Sequence, residues 1–159
     1  MPDFSGAAVI KPHCILLAGN PQRPQELPCS AAITPGHLVE ISSGLLRKHA
    51  TADGNAGSFF ALEELTPNRT VATEAIDTPY PSGDTVQWMI CRPGDLVYAW
   101  VPASAAAIVA GDFLASNGDG TLHKAVTGST FLEAIVAQAA EAVNNSAGGT
   151  PARIRVRAV

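Results

Sequence analysis

The run Ser82-Gly83-Asp84-Thr85-Val86-Gln87-Trp88-Met89-Ile90-Cys91-Arg92-Pro93-Gly94-Asp95-Leu96-Val97-Tyr98-Ala99-Trp100-Val101 decides the fold. It states one pattern twice: a Gly-Asp pair, then a stretch dense in β-branched and aromatic side chains. Glycine accepts positive φ, and a proline before it presets the first corner of a turn. The aspartate can close an Asx turn onto its own backbone. Each pair therefore reads as a tight turn launching a strand, over Thr85–Ile90 and over Leu96–Val101.

The signal recurs on both sides of this run. Upstream stands Pro35-Gly36-His37-Leu38-Val39, and downstream Ala110-Gly111-Asp112-Phe113-Leu114. Asn117-Gly118-Asp119-Gly120 separates Phe113–Ser116 from Thr121–Ala125 and is a strong hairpin signal. Gly36, Gly83, Asp84, Gly94, Asp95, Gly111, Asp112, Gly118, Asp119 and Gly120 are thus expected as structural turns. Asp53-Gly54-Asn55-Ala56-Gly57 reads as a further loop before Ser58–Leu65. The C-terminal Arg153-Ile154-Arg155-Val156-Arg157-Ala158-Val159 alternates charged and apolar residues, as a half-buried strand does. Thr130–Val143 is ambiguous. Thr130 and Glu133 fit a helix capping box and the alanines favour helix, yet Ile135, Ala137 and Ala139 alternate, and strand is favoured. Short strands punctuated by Gly and Pro turns predict an all-β protein, a small β-barrel or β-sandwich.

Residues 1–35 differ from the rest. They carry Pro2, Pro12, Pro21, Pro24, Pro28 and Pro35, which remove backbone donors and fix φ. The segment is still apolar, so it reads as an extended arm docked on something, with the β domain spanning 36–159. Cys14–Ala18 could form an edge strand. Val9, Ile10, Pro12, Ile15, Leu16 and Leu17 are the candidate interface residues, and removing residues 1–17 is expected to leave the domain folded.

Composition narrows the function classes. The chain has 159 residues, enough for one domain with a real core. Charged residues make up only 15% of it, against about 25% in an average protein, which suggests a surface partly covered by other protein. The net charge is −4 and the only basic concentration is Arg153, Arg155 and Arg157, so nucleic acid is not an expected partner. No apolar run approaches a membrane span and Met1–Ala8 lacks the pattern of a secretion signal. No membrane partner is therefore expected, and synthesis in a cytoplasm is. Cys14, Cys29 and Cys91 lack metal or disulfide spacing. His13, His37, His49 and His123 form no metal motif, and His49 and His123 are expected at the solvated surface. Asn117–Gly120 lacks the remaining ligands of a calcium loop. No nucleophile elbow, phosphate loop or dinucleotide fingerprint occurs. The expectation is a protein without catalytic residues, metal or cofactor.

The order of the turns resembles something larger. Phe59-Phe60-Ala61-Leu62-Glu63-Glu64 is followed by Tyr80-Pro81-Ser82-Gly83-Asp84-Thr85-Val86, then Pro93-Gly94-Asp95-Leu96-Val97-Tyr98-Ala99. Next comes Ala110-Gly111-Asp112-Phe113-Leu114-Ala115-Ser116-Asn117-Gly118-Asp119-Gly120-Thr121-Leu122. Ile135–Val143 then stands where a further strand would follow. Over residues 58–143 this series resembles the head decoration, or cement, proteins of tailed bacteriophages. The resemblance implies a structural virion protein on the outer surface of a capsid. It would be a homo-oligomer, a trimer in preference to a dimer, and its partner would be the major capsid protein. The arm lies outside the resemblance. Two rival readings are a carbohydrate-binding or small-ligand β-sandwich using Trp88, Tyr98 and Trp100, and a β-barrel enzyme using Asp95, Asp112 and a histidine.

Overall fold

A computed structural model describes residues 11–22, 24–64, 74–126 and 134–159. The strands are β1 (Leu16–Ala18), β2 (Gln25–Pro28), β3 (Val39–Ser42), β4 (Leu45–Lys48), β5 (Phe59–Ala61), β6 (Thr85–Ile90), β7 (Leu96–Val101), β8 (Phe113–Ser116), β9 (Leu122–Lys124), β10 (Ile135–Ala139) and β11 (Ala152–Ala158). The described residues contain no α-helix, only a 3-10 turn at Ala75–Asp77, and no helix long and apolar enough to cross a membrane. The strands form a six-stranded sheet in the order β1-β7-β11-β10-β8-β9, a three-stranded sheet β2-β6-β5 and the hairpin β3-β4. Every named strand pair is antiparallel. The all-β fold expected from the turn-strand pattern is what the chain forms, and of the two alternatives, barrel and sandwich, the separate antiparallel sheets are consistent with the sandwich.

Alternation explains the layering. In β6, Met89 and its cross-strand partner Phe60 face the six-stranded sheet, where they join Val97, Ala99, Leu114 and Val156 in the main core. The next pair, Trp88 and Ala61, points the other way and packs with Val39 and Leu46 of the hairpin. The small sheet thus has two apolar faces, each covered. In β7 and β11 one set of side chains is buried (Val97, Ala99, Val101; Ile154, Val156, Ala158) and the other half-buried or exposed, the period of two that the sequence carries. Ile135–Ala139 is strand, as favoured; residues 127–133 lie outside the described set, so the proposed cap at Thr130 and Glu133 is not among the residues described.

Residues 15–22 and 24–35 are part of this body, which moves the expected boundary at residue 35. Ile15 is fully buried in the main core, and Cys29 and Ile33 are buried in the second. β1 pairs with β7 and β2 pairs with β6, so the segment supplies one strand to each sheet. Two buried carboxylates fasten it. Glu63 accepts the Ile15 N–H at 2.9 Å, and Asp95 accepts the Asn20 N–H at 2.9 Å. The physical reason is edge completion. The Tyr98 N–H of β7 finds its acceptor at Ile15 O, and without this segment β7 would present an unpaired donor.

Candidate functional site

Four of the expected turns are one structure repeated. The N–H of Asp84, Asp95, Asp112 and His37 donates to the carbonyl three residues earlier, Pro81, Arg92, Val109 and Thr34 respectively. The glycine at the third position has φ +90 at Gly83, +100 at Gly94, +96 at Gly111 and +89 at Gly36, the type II geometry that only glycine adopts without strain. At two of them the aspartate closes the turn: Asp95 Oδ2 accepts the Arg92 N–H at 2.8 Å and Asp112 Oδ2 accepts the Val109 N–H at 2.9 Å. Lys124 bonds Asp112 at 2.8 Å and holds its carboxyl below the ordinary value, helped by the Val109 N–H. In the β8–β9 hairpin Asp119 accepts both the N–H and the hydroxyl of Thr121. Burial raises the Asp119 pKa, but the Thr121 bonds, together with the Asn117 side chain and the nearby His37, leave it lowered. These carboxylates are consumed by their own turns. Among the described residues no three His, Cys, Asp or Glu side chains gather as a metal-ligand group.

The glycines differ in what surrounds them, which makes a test. A β-carbon at Gly94 would meet nothing within 4 Å, so Gly94→Ala costs only the backbone strain, about 1–2 kcal/mol. A β-carbon at Gly36 would sit 2.7 Å from the Tyr98 carbonyl of β7. Gly36→Ala is expected to lower the urea midpoint at least twice as far as Gly94→Ala. Equal effects would show that the turn does not press on β7.

The candidate interface residues divide. Ile15 is in the core and is unavailable to a partner, because its neighbours are Val97 and Leu38 of its own chain's core. Leu16 and Leu17 are half-buried. Pro12 is half-buried at the rim of a groove, while Val9 and Ile10 lie outside the described residues.

That groove, about 370 Å³, lies on the outer face of β7 and β11. Cross-strand register sets its floor: Arg153 of β11 is opposite Trp100 of β7, and Tyr98 lies two residues along β7 on the same face. The Arg153 guanidinium sits 4.0 Å above the Trp100 ring, a cation–π contact strengthened by burial. It also donates to Asp77 and to the carbonyls of Pro35 and Ile76. Pro12, Glu74, Ile76 and Pro151 complete the walls. Of the three aromatics offered as a ligand platform, Tyr98 and Trp100 line this groove. Trp88 is 3% exposed in the second core and faces away from it.

One polar array escapes sequence reasoning. His49, expected at the surface, is 2% exposed. Its Nδ1 lies 2.7 Å from Ser116 Oγ, and its Nε2 lies 3.2 Å from Asn55 O and 3.7 Å from Glu40 Oε2. Serine, histidine and glutamate in line are the composition of a nucleophile relay. Here Ser116 is fully buried, so a substrate has no path to its hydroxyl, and Ser116 Oγ accepts the Gly118 N–H of the hairpin instead. The array ties β4 to β8. Sequence separations of up to 67 residues hide it. Nor do Asp95 and Asp112 form a catalytic pair, since each closes a different turn. Cys29 and Cys91 are buried as expected of small apolar groups, while Cys14 is exposed. Burial, then Asp95, pushes the Cys91 thiol up to about 12.

A last feature is apolar. Val109 (54% exposed), Phe113 (46%) and Val126 (70%) stand uncovered. Phe113 opens β8, Val109 begins the turn before it, and Val126 follows β9, the outermost strand of the six-stranded sheet. No protein-family model matches the chain, and no curated protein matches it.

Proposed function

We propose that this protein is a capsid decoration protein that binds the outside of a phage head and stabilises the lattice by bridging subunits of the major capsid protein. The observation that carries the reading is the ordered series of Gly-Asp turns, each launching a strand of one antiparallel body. It is the feature on which the resemblance to cement proteins rests. The surface supports it: the exposed Val109, Phe113 and Val126 suit contact with other protein. We place the protein on the virion surface as a homo-oligomer, a trimer in preference to a dimer, without catalysis or cofactor and with neither nucleic acid nor membrane as partner. A ligand that binds the assembled lattice better than free subunits stabilises the lattice by that difference alone.

The second reading is a small-ligand or carbohydrate-binding module, favoured by Tyr98 and Trp100 in the groove. One experiment separates the two. Purified protein is mixed with expanded, undecorated heads of the phage that encodes it and imaged in negative stain. A parallel sample is titrated with oligosaccharides while tryptophan emission is followed. Regular surface density on the heads with unchanged emission is expected. Bare heads with a saturating emission change would replace the first reading by the second.

A further inference from the structure

The fourth turn of the series, Thr34-Pro35-Gly36-His37, carries a histidine where the others carry aspartate. The imidazole does the carboxylate's work. Thr34 N–H donates to His37 Nδ1 at 3.1 Å, in the position where Arg92 N–H meets Asp95 and Val109 N–H meets Asp112. An acceptor Nδ1 requires a neutral ring with its proton on Nε2.

This turn is also the joint between the sheets. Gly36 N–H donates to Ala61 O and Ala61 N–H to His37 O, which binds it to β5. Gly36 O accepts the Trp100 N–H of β7, while Pro35 O accepts Trp100 Nε1 and an Arg153 N–H of β11. The His37 ring stacks on Trp100 with centroids 5.8 Å apart. We infer that His37 makes this turn an acid-operated latch: closed while the imidazole is neutral, and opened when a proton on Nδ1 turns the acceptor into a donor facing the Thr34 N–H.

The surroundings set the working range. His37 is 8% exposed. Burial first, then Lys48 of β4, push its pKa down from 6.5 to about 4; Arg153 of β11 acts the same way, and Asp119 of the β8–β9 turn opposes them. Asp77 pairs with Arg153 and so offsets part of that charge. Because the folded pKa lies below the unfolded one, the closed turn binds fewer protons than the open one between those values. Closure is complete above about pH 6.5, weakens as pH falls, and loses nothing further below about 4. The latch does not depend on which partner the protein has.

The test is amide hydrogen exchange of Thr34 and Gly36 in the full chain, corrected for intrinsic rates. Protection is expected to be flat above pH 7 and to fall roughly tenfold per pH unit between about 6 and 4.5. In His37→Asn, which keeps a side-chain acceptor that does not titrate, protection should stay flat over that range. Constant protection in the native chain, or the same fall in His37→Asn, overturns the latch. Nitrogen chemical shifts of the native ring provide a readout independent of any variant. An unprotonated Nδ1 at neutral pH and a midpoint well below 6.5 are expected; a protonated Nδ1, or a midpoint at 6.5 or above, overturns it.

Discussion

Deleting residues 1–18 is expected to lower the unfolding free energy by about 5 kcal/mol, enough to leave little folded protein. Three losses combine. Ile15 leaves a fully buried position in the main core, and a large aliphatic lost from a core costs about 2–5 kcal/mol. Glu63, itself 8% exposed, loses the Ile15 N–H, and a buried acceptor left unpaired costs about 1–3 kcal/mol. The Tyr98 N–H of β7 loses its acceptor as well. Guanidinium unfolding monitored by tryptophan emission measures the change. Deleting only residues 1–10 leaves all of these contacts in place and serves as the comparison. If the longer deletion unfolds at the same denaturant concentration as the shorter one, the first strand is an ornament of the fold. This differs from the expectation that removing residues 1–17 of the arm leaves the domain folded, because Ile15 lies in the core. Capsid affinity carried by an N-terminal segment is testable only with the shorter deletion.

Phe60→Ala is expected to cost about 3–5 kcal/mol, while Phe113→Ala costs less than about 0.5 kcal/mol. The two phenylalanines differ in environment alone. Phe60 is fully buried opposite Met89, where the small sheet meets the large one. Phe113 is 46% exposed at the start of β8. Under the decoration reading, Phe113→Ala lowers occupancy on heads or weakens self-association while the melting temperature stays put. Phe60→Ala lowers the melting temperature by roughly 6–20 °C if the protein folds at all. A Phe113→Ala protein that decorates heads and associates as the native chain does would remove Phe113 from the proposed interface.

How far these features could be read beforehand depended on their range. The turns at Gly83, Gly94 and Gly111 and the strands after them were legible because glycine, the preceding residue and the aspartate act within one turn. β11 was legible from its own alternation. The hairpin β3–β4 was not. It turns at Ser43 (φ 52) and Gly44 (φ 77), and although Val-Glu-Ile-Ser alternates, its second flank, Leu-Leu-Arg-Lys, does not. His49 looked like a surface residue beside Lys48. Its burial is decided by Ser116, far along the chain.

The segment before residue 35 shows the limit most clearly. Its composition established that it is apolar, extended and rich in proline, and therefore that it must pack against something. Composition cannot choose between the body of its own chain and a partner, because both offer the same apolar burial. The choice came from Glu63 and Asp95, 48 and 75 residues away, whose buried carboxylates need backbone donors and find them at Ile15 and Asn20. The fourth turn follows the same division. Pro35-Gly36-His37 announced a type II turn by local chemistry alone. That its histidine accepts a hydrogen bond in place of aspartate, stacks on Trp100 and joins two sheets depended on β5, β7 and β11 arriving around it. Local sequence determines which backbone angles are open to a residue; only the assembled sheets determine how far its side chain is shut away from water.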